Sequence, residues 1–119
     1  GIVNATKCYH EINKFKNSNI RTLFASTGVK GNELSPSYYI DNLIFPNSVN
    51  TAPLATIEDW LKDGSKVETH IMSEVECDKY FETLKQKGIK MQAIYDKLLI
   101  DGLESFKVSF RDLLSKLIN

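Results

Sequence analysis

The residues best suited to chemistry lie close together: Ser26, Thr27, Gly28 and Lys30, at the end of a short apolar run. A hydroxyl, the accessible amides around a glycine and a lysine ammonium make the donor set of an anion cradle. A phosphate is the natural ligand for such a set. A second reading stands beside it, in which Ser26 and Thr27 satisfy strand-end backbone groups and Lys30 is solvated. Asn50 and Thr51 close the next apolar run and present two readings of their own. They line the same mouth, or Thr51 caps the helix that Pro53 opens, and the cap is favoured.

Elsewhere the chemistry is thin. His70 has no Cys, His or carboxylate at ligand spacing and reads as structural. His10 and Cys8 are two residues apart on a helix and do not share a face, so no metal site follows. A nucleophilic lysine needs burial or cationic neighbours to lower its pKa. The lysines here fall on polar helix faces, in loops or at element ends.

The elements that position these groups follow from periodicity. Ile2, Ala5, Tyr9, Ile12 and Phe15 recur at helical spacing. Ile20 to Ala25 is a short β-forming run between polar turns and reads as a buried strand. Ser35-Pro36 opens a helix running to about Ile44. Ser48 to Thr51 is a brief strand. A helix carrying Leu54, Ile57, Trp60 and Leu61 stops at Gly64. Lys66 to Met72 alternates as a third strand. Ser73 and Glu76 have capping-box spacing before a helix that Gly88 ends. Two further helices are predicted over Lys90 to Ile100 and Leu103 to Ile118. The last bears an apolar stripe of Leu103, Phe106, Phe110, Leu113, Leu114 and Leu117, read as core.

Strands alternating with helices imply an α/β fold built of parallel βαβ units. Three strands do not close a (β/α)₈ barrel, which typically takes about 250 residues. The chain is then a small open α/β layer or part of a barrel lacking its first half. The opening residues already read as the middle of a helix, which suggests a piece of something longer. Composition agrees with a soluble globular protein: 42% apolar residues and 25% charged. Fifteen basic residues balance fifteen acidic ones, which argues against nucleic-acid binding. No run approaches the roughly 20 apolar residues of a membrane span. Two distant thiols, Cys8 and Cys77, fit a reducing cytoplasm.

Several linked segments carry a family resemblance. Arg21-Thr22-Leu23-Phe24-Ala25-Ser26-Thr27-Gly28-Val29-Lys30 resembles the sixth strand and following loop of the longer bacterial transaldolases. Tyr39 to Ile44 and Ser48 to Pro53 follow in that family's order and spacing. The Asp101 to Leu117 tail resembles its closing helices, with Phe106, Ser109, Phe110, Leu113 and Leu114 in the family's pattern. Gly1 to Ala5 is similar to the helix before the sixth strand, and the likeness is weakest between Ser65 and Asp78.

The resemblance implies that residues 1–119 form one partial domain: the C-terminal portion of a (β/α)₈ TIM barrel, approximately strands six to eight, with extra C-terminal helices. It further implies a cytoplasmic enzyme of the pentose phosphate pathway. Such an enzyme moves a dihydroxyacetone unit from sedoheptulose 7-phosphate to glyceraldehyde 3-phosphate through a lysine Schiff base. That lysine lies on the family's fourth strand, so the partner of this chain is the remaining N-terminal part of the same enzyme. The fragment alone is expected to be inactive, with no cofactor and no metal. Ser26 matches the family's phosphate serine. Shorter members carry an arginine where this chain has Gly28, which leaves Lys30 as the nearest cation for the sugar-phosphate substrate. The alternatives are a non-catalytic α/β module that binds a phosphorylated ligand or a protein partner, and a helical interaction domain using the Phe106, Phe110 and Leu114 face.

Overall fold

The computed structural model describes residues 1–65 and 69–118. The element order is α1 (Ile2–Asn13), β1 (Thr22–Phe24), α2 (Tyr38–Asn42), β2 (Ser48–Asn50), α3 (Leu54–Asp63), α4 (Glu74–Gln86) and α5 (Met91–Ile118). The strands β1 and β2 pair in parallel, Thr22 opposite Ser48, Leu23 opposite Val49 and Phe24 opposite Asn50. The chain divides into two compact units, Gly1–Tyr80 and Phe81–Asn119, with the boundary inside α4.

The first unit holds the core. Phe24 and Thr22 point to one face of the sheet and are buried, while Leu23 between them is exposed. That is the period-two alternation of a strand. Phe24 joins Tyr9 of α1 and Leu43 and Phe45 from the segment before β2 in one cluster, and Ile2, Ala5 and Ile71 pack against it. Phe45 meets the other two rings edge to face: Phe24 and Phe45 have centroids 5.4 Å apart at 88°, Tyr9 and Phe45 4.9 Å apart at 69°. These geometries set positive ring edges against negative ring faces. The Tyr9 hydroxyl donates to the Pro46 carbonyl at 3.0 Å, so its buried polar end is satisfied.

Several expectations need correction. The predicted helical stripe of α1 stops short of Phe15, which is 71% exposed, because the helix ends at Asn13 and Lys16 adopts φ 48°. The helix predicted from Ser35-Pro36 is a turn there, and regular helix covers only Tyr38–Asn42. The Ser37 hydroxyl donates to the Asp41 carboxylate at 2.8 Å instead of capping a backbone amide. Of the third strand, Lys66, Val67 and Glu68 lie outside the described residues, and Thr69 to Met72 are not in a strand. Side chains hold that segment: Thr69 donates to the Asp41 carbonyl at 2.6 Å, and a His10 ring nitrogen lies 2.7 Å from the Met72 carbonyl.

Two terminal signals of α4 form as predicted. The Ser73 amide donates to Glu76 at 2.7 Å, and the Glu76 amide donates back to the Ser73 hydroxyl at 3.3 Å. This is the reciprocal capping box. At the other end Gly88, with φ 80°, lets the Gly88 amide reach the Lys85 carbonyl and the Ile89 amide the Leu84 carbonyl. This pair of bonds is a Schellman motif, and its left-handed residue is usually glycine.

The second unit corrects two readings. Residues 91–118 form one helix of 28 residues, not two, and Gly102 sits inside it. A glycine costs a helix about 1 kcal/mol relative to alanine. Nucleating a second helix costs more, so the ladder runs through. Ion pairs on the polar side accompany it, Lys97 with Asp101 and Lys107 with Glu104. The apolar stripe expected to be core is exposed: Phe106 is 79% and Leu117 73% accessible.

Candidate functional site

The C-terminal ends of β1 and β2 are where the parallel pairing runs out, and the residues singled out in sequence gather there. Hydrogen bonding continues one step past the ladder: the Thr51 amide donates to the Phe24 carbonyl at 2.9 Å and the Thr27 amide to the Thr51 carbonyl at 3.0 Å. Between these two bonds Ser26 takes a left-handed conformation with φ 58°. For a non-glycine residue that conformation costs roughly 1–2 kcal/mol, and it persists where neighbouring contacts fix it. The Ser26 amide donates to the Thr51 hydroxyl at 3.3 Å.

Ser26 and Lys30 line one hollow of about 400 Å³, together with Gly28, Val29, Thr51 and Pro53. Both are exposed. Among the described residues the Ser26 hydroxyl makes no hydrogen bond and Lys30 has no ion-pair partner. Their neighbours are committed: the Thr27 hydroxyl lies 2.6 Å from the Asn50 amide oxygen and 3.1 Å from the Thr51 carbonyl. The hollow thus combines donors free to meet a ligand with polar groups that hold the wall.

The helix α3 begins at the rim. Pro53 is its N-cap residue, with φ −56° and ψ 149°, and no side chain caps the first turn. The first amides of a helix have no partner within it and carry the positive end of its dipole. The favoured reading of Thr51 as that cap is therefore corrected. Its hydroxyl turns towards the Ser26 amide, and Thr51 lines the hollow. Gly28 packs closely behind: a Cβ there would come within 3.1 Å of the Pro53 ring and 3.3 Å of the Thr56 hydroxyl. Such contacts are tight enough that the α3 start would have to shift. This is a local reason for a glycine where a larger cationic side chain was the other possibility.

Sequence reasoning missed the Thr27–Asn50 pair. The two residues are 23 positions apart, and only the parallel register brings them together. The available signal was an asparagine ending a strand beside a threonine just past the end of its neighbour.

The other candidates lie elsewhere. His70 is exposed, 3.8 Å from the Glu76 carboxylate, where it assists the start of α4 when protonated. The Ser73 bonds, and then His70, hold the Glu76 carboxyl below the usual carboxylate range. Cys77 is fully buried and burial pushes its thiol pKa up, which makes it an inert packing residue; Cys8 is exposed. Among the described residues no group of three or more His, Cys, Asp or Glu side chains could hold a metal ion. None of the described helices is long and apolar enough to cross a membrane.

Comparison with known proteins adds the family. The transaldolase/fructose-6-phosphate aldolase family model matches residues 1–117. A transaldolase of Helicobacter pylori is 44% identical over 115 residues, covering 97% of this chain and 36% of its own length. A transaldolase of Campylobacter jejuni is 41% identical over 119 residues, covering 98% of this chain and 35% of its own length. The chain thus spans little more than a third of the length of these relatives, and the matched span includes both strand ends and the hollow between them. With the match running along nearly the whole chain, the chain belongs to the transaldolase/fructose-6-phosphate aldolase family.

Proposed function

We propose that this chain is the C-terminal part of a transaldolase barrel and supplies the subsite for the phosphate of its sugar-phosphate substrates. The observation that carries the proposal is the pairing of an uncommitted hydroxyl, Ser26, with an uncommitted ammonium, Lys30, on one hollow. The hollow lies at the C-terminal ends of two parallel strands, where barrel enzymes assemble their sites. The Ser26 hydroxyl donates to a phosphate oxygen, Lys30 neutralises charge, and the uncapped first turn of α3 adds amides and a favourable dipole.

The reaction itself, transfer of a dihydroxyacetone unit between sugar phosphates, proceeds through a lysine Schiff base contributed by the N-terminal part of the enzyme. An amine suffices for that chemistry, so no metal or cofactor enters it. Binding the phosphate far from the reacting carbon orients the substrate, which is where remote binding energy assists catalysis. The exposed Leu23, on the sheet face away from the core, and the exposed stripe of α5 support the remaining part of the same enzyme as the partner of this chain. The whole protein works in the cytoplasm, where the two free thiols of this chain stay reduced.

The test compares Ser26→Ala and Lys30→Ala in the complete enzyme. A hydrogen bond to a charged group contributes about 1.5–3 kcal/mol, so each variant should raise KM for glyceraldehyde 3-phosphate roughly ten- to a hundredfold. Unphosphorylated glyceraldehyde should lose far less. An equal loss on both acceptors would contradict the phosphate role.

A further inference from the structure

The Ser26 backbone is held in a left-handed conformation that serine rarely adopts, and its neighbours hold it there. Thr27, next in the chain, is 5% exposed. Its hydroxyl has one proton, directed to the Asn50 amide oxygen at 2.6 Å, with the Thr51 carbonyl at 3.1 Å as a second acceptor. The Asn50 amide nitrogen reaches the Leu43 carbonyl at 3.5 Å, which orients the side chain so that its oxygen faces Thr27. Leu43 belongs to the aromatic cluster, so the chain of contacts runs from the core through Asn50 to Thr27 and then to Ser26. On the other side the Ser26 amide is tied to the Thr51 hydroxyl. The backbone is thereby clamped on both sides of the serine, and the serine hydroxyl is left free.

We propose that Thr27 and Asn50 are positioning residues for the phosphate subsite: their buried hydrogen bond keeps Ser26 left-handed and its hydroxyl directed into the hollow. The proposal rests on the phosphate-binding reading of Ser26 and Lys30. Neither Thr27 nor Asn50 needs to touch the ligand. Selectivity for phosphorylated over unphosphorylated sugars follows from the clamp, because a Ser26 free to relax into an ordinary conformation no longer offers its hydroxyl at a fixed place. A fixed donor loses less freedom on binding than a mobile one.

The test uses the complete enzyme, with inorganic phosphate as the competing probe and glyceraldehyde and glyceraldehyde 3-phosphate as acceptors. Thr27→Val keeps the shape and removes the hydroxyl, Thr27→Ser restores the hydroxyl, and Asn50→Ala removes the first acceptor together with its tie to the Leu43 carbonyl. Thr27→Val should lower the phosphorylated-to-unphosphorylated ratio of kcat/KM roughly tenfold, the effect of one lost conformational bias of this size. It should weaken phosphate inhibition in proportion, through KM and Ki and not kcat. Asn50→Ala should give a smaller shift in the same direction, since the Thr51 carbonyl remains available. Thr27→Ser should recover the wild-type ratio. If Thr27→Val does not fold, Asn50→Ala decides. Equal ratios in wild type and Asn50→Ala, or Thr27→Ser as impaired as Thr27→Val, would overturn the positioning role. If phosphate fails to inhibit the wild type and Ser26→Ala changes nothing, the phosphate reading itself fails, an outcome distinct from the first two.

Discussion

The two compact units spend their apolar residues in opposite ways. In Gly1–Tyr80 four large side chains, Tyr9, Phe24, Leu43 and Phe45, close a core beside a two-stranded sheet. In Phe81–Asn119 the long α5 carries Leu103, Phe106, Phe110 and Leu117, all exposed. Both segments have strong apolar periodicity, so periodicity alone does not distinguish a packed face from an unpartnered one. The difference lies in what surrounds it. The first unit has a parallel strand pair and a crossover that fold three segments onto each other, and the second is held chiefly by local helical bonds. The site falls in the first unit, where long-range hydrogen bonds can fix a strained serine.

The comparison predicts unequal responses to truncation. Phe24→Ala removes the centre of the aromatic cluster and should destabilise the first unit by about 3–5 kcal/mol. Phe106→Ala in the same chain should change stability by less than about 0.5 kcal/mol. Chemical denaturation of the two variants checks this, and similar losses would erase the distinction between the units.

A smaller effect concerns the capping box of α4. The Ser73 bonds, with His70 beside them, hold the Glu76 carboxyl below its ordinary value of 4.5. A depressed carboxyl stabilises the folded chain fully above its unfolded pKa. That contribution fades as pH falls from about 4.5 towards the folded value. Protection from amide exchange at the first turn of α4, corrected for the intrinsic pH dependence of exchange, should therefore fall over that acidic interval. Glu76→Gln, which lacks the titrating group, should remove the pH dependence and keep most of the cap.

How much of this was legible in the sequence depends on the range of the interaction involved. The capping box at Ser73 and Glu76 and the stop at Gly88 were readable because both motifs close within six residues. The two strands were readable as short β-forming runs, and Ser26 and Lys30 were readable as neighbours because four positions separate them. The Thr69 to Met72 part of the third strand was not, because these residues alternate like a strand and yet are bonded through side chains to α1 and α2. The break assigned between Ile100 and Leu103 was wrong because Gly102 weakens a helix without ending it unless a left-handed turn follows. Thr51 looked like a cap because Pro53 follows it, and only the neighbouring strand shows where its hydroxyl goes. The Thr27–Asn50 bond belongs to the same class: its partners are set by register and are invisible to any local window.

Under the proposed function, this chain positions the phosphate of the substrate and residues outside it carry the covalent chemistry. Borohydride trapping of the complete enzyme with sedoheptulose 7-phosphate, followed by peptide mapping, tests that division most directly. The reduced dihydroxyacetone adduct should map to a lysine outside these 119 residues. An adduct on Lys30 or any other lysine of this chain would contradict it.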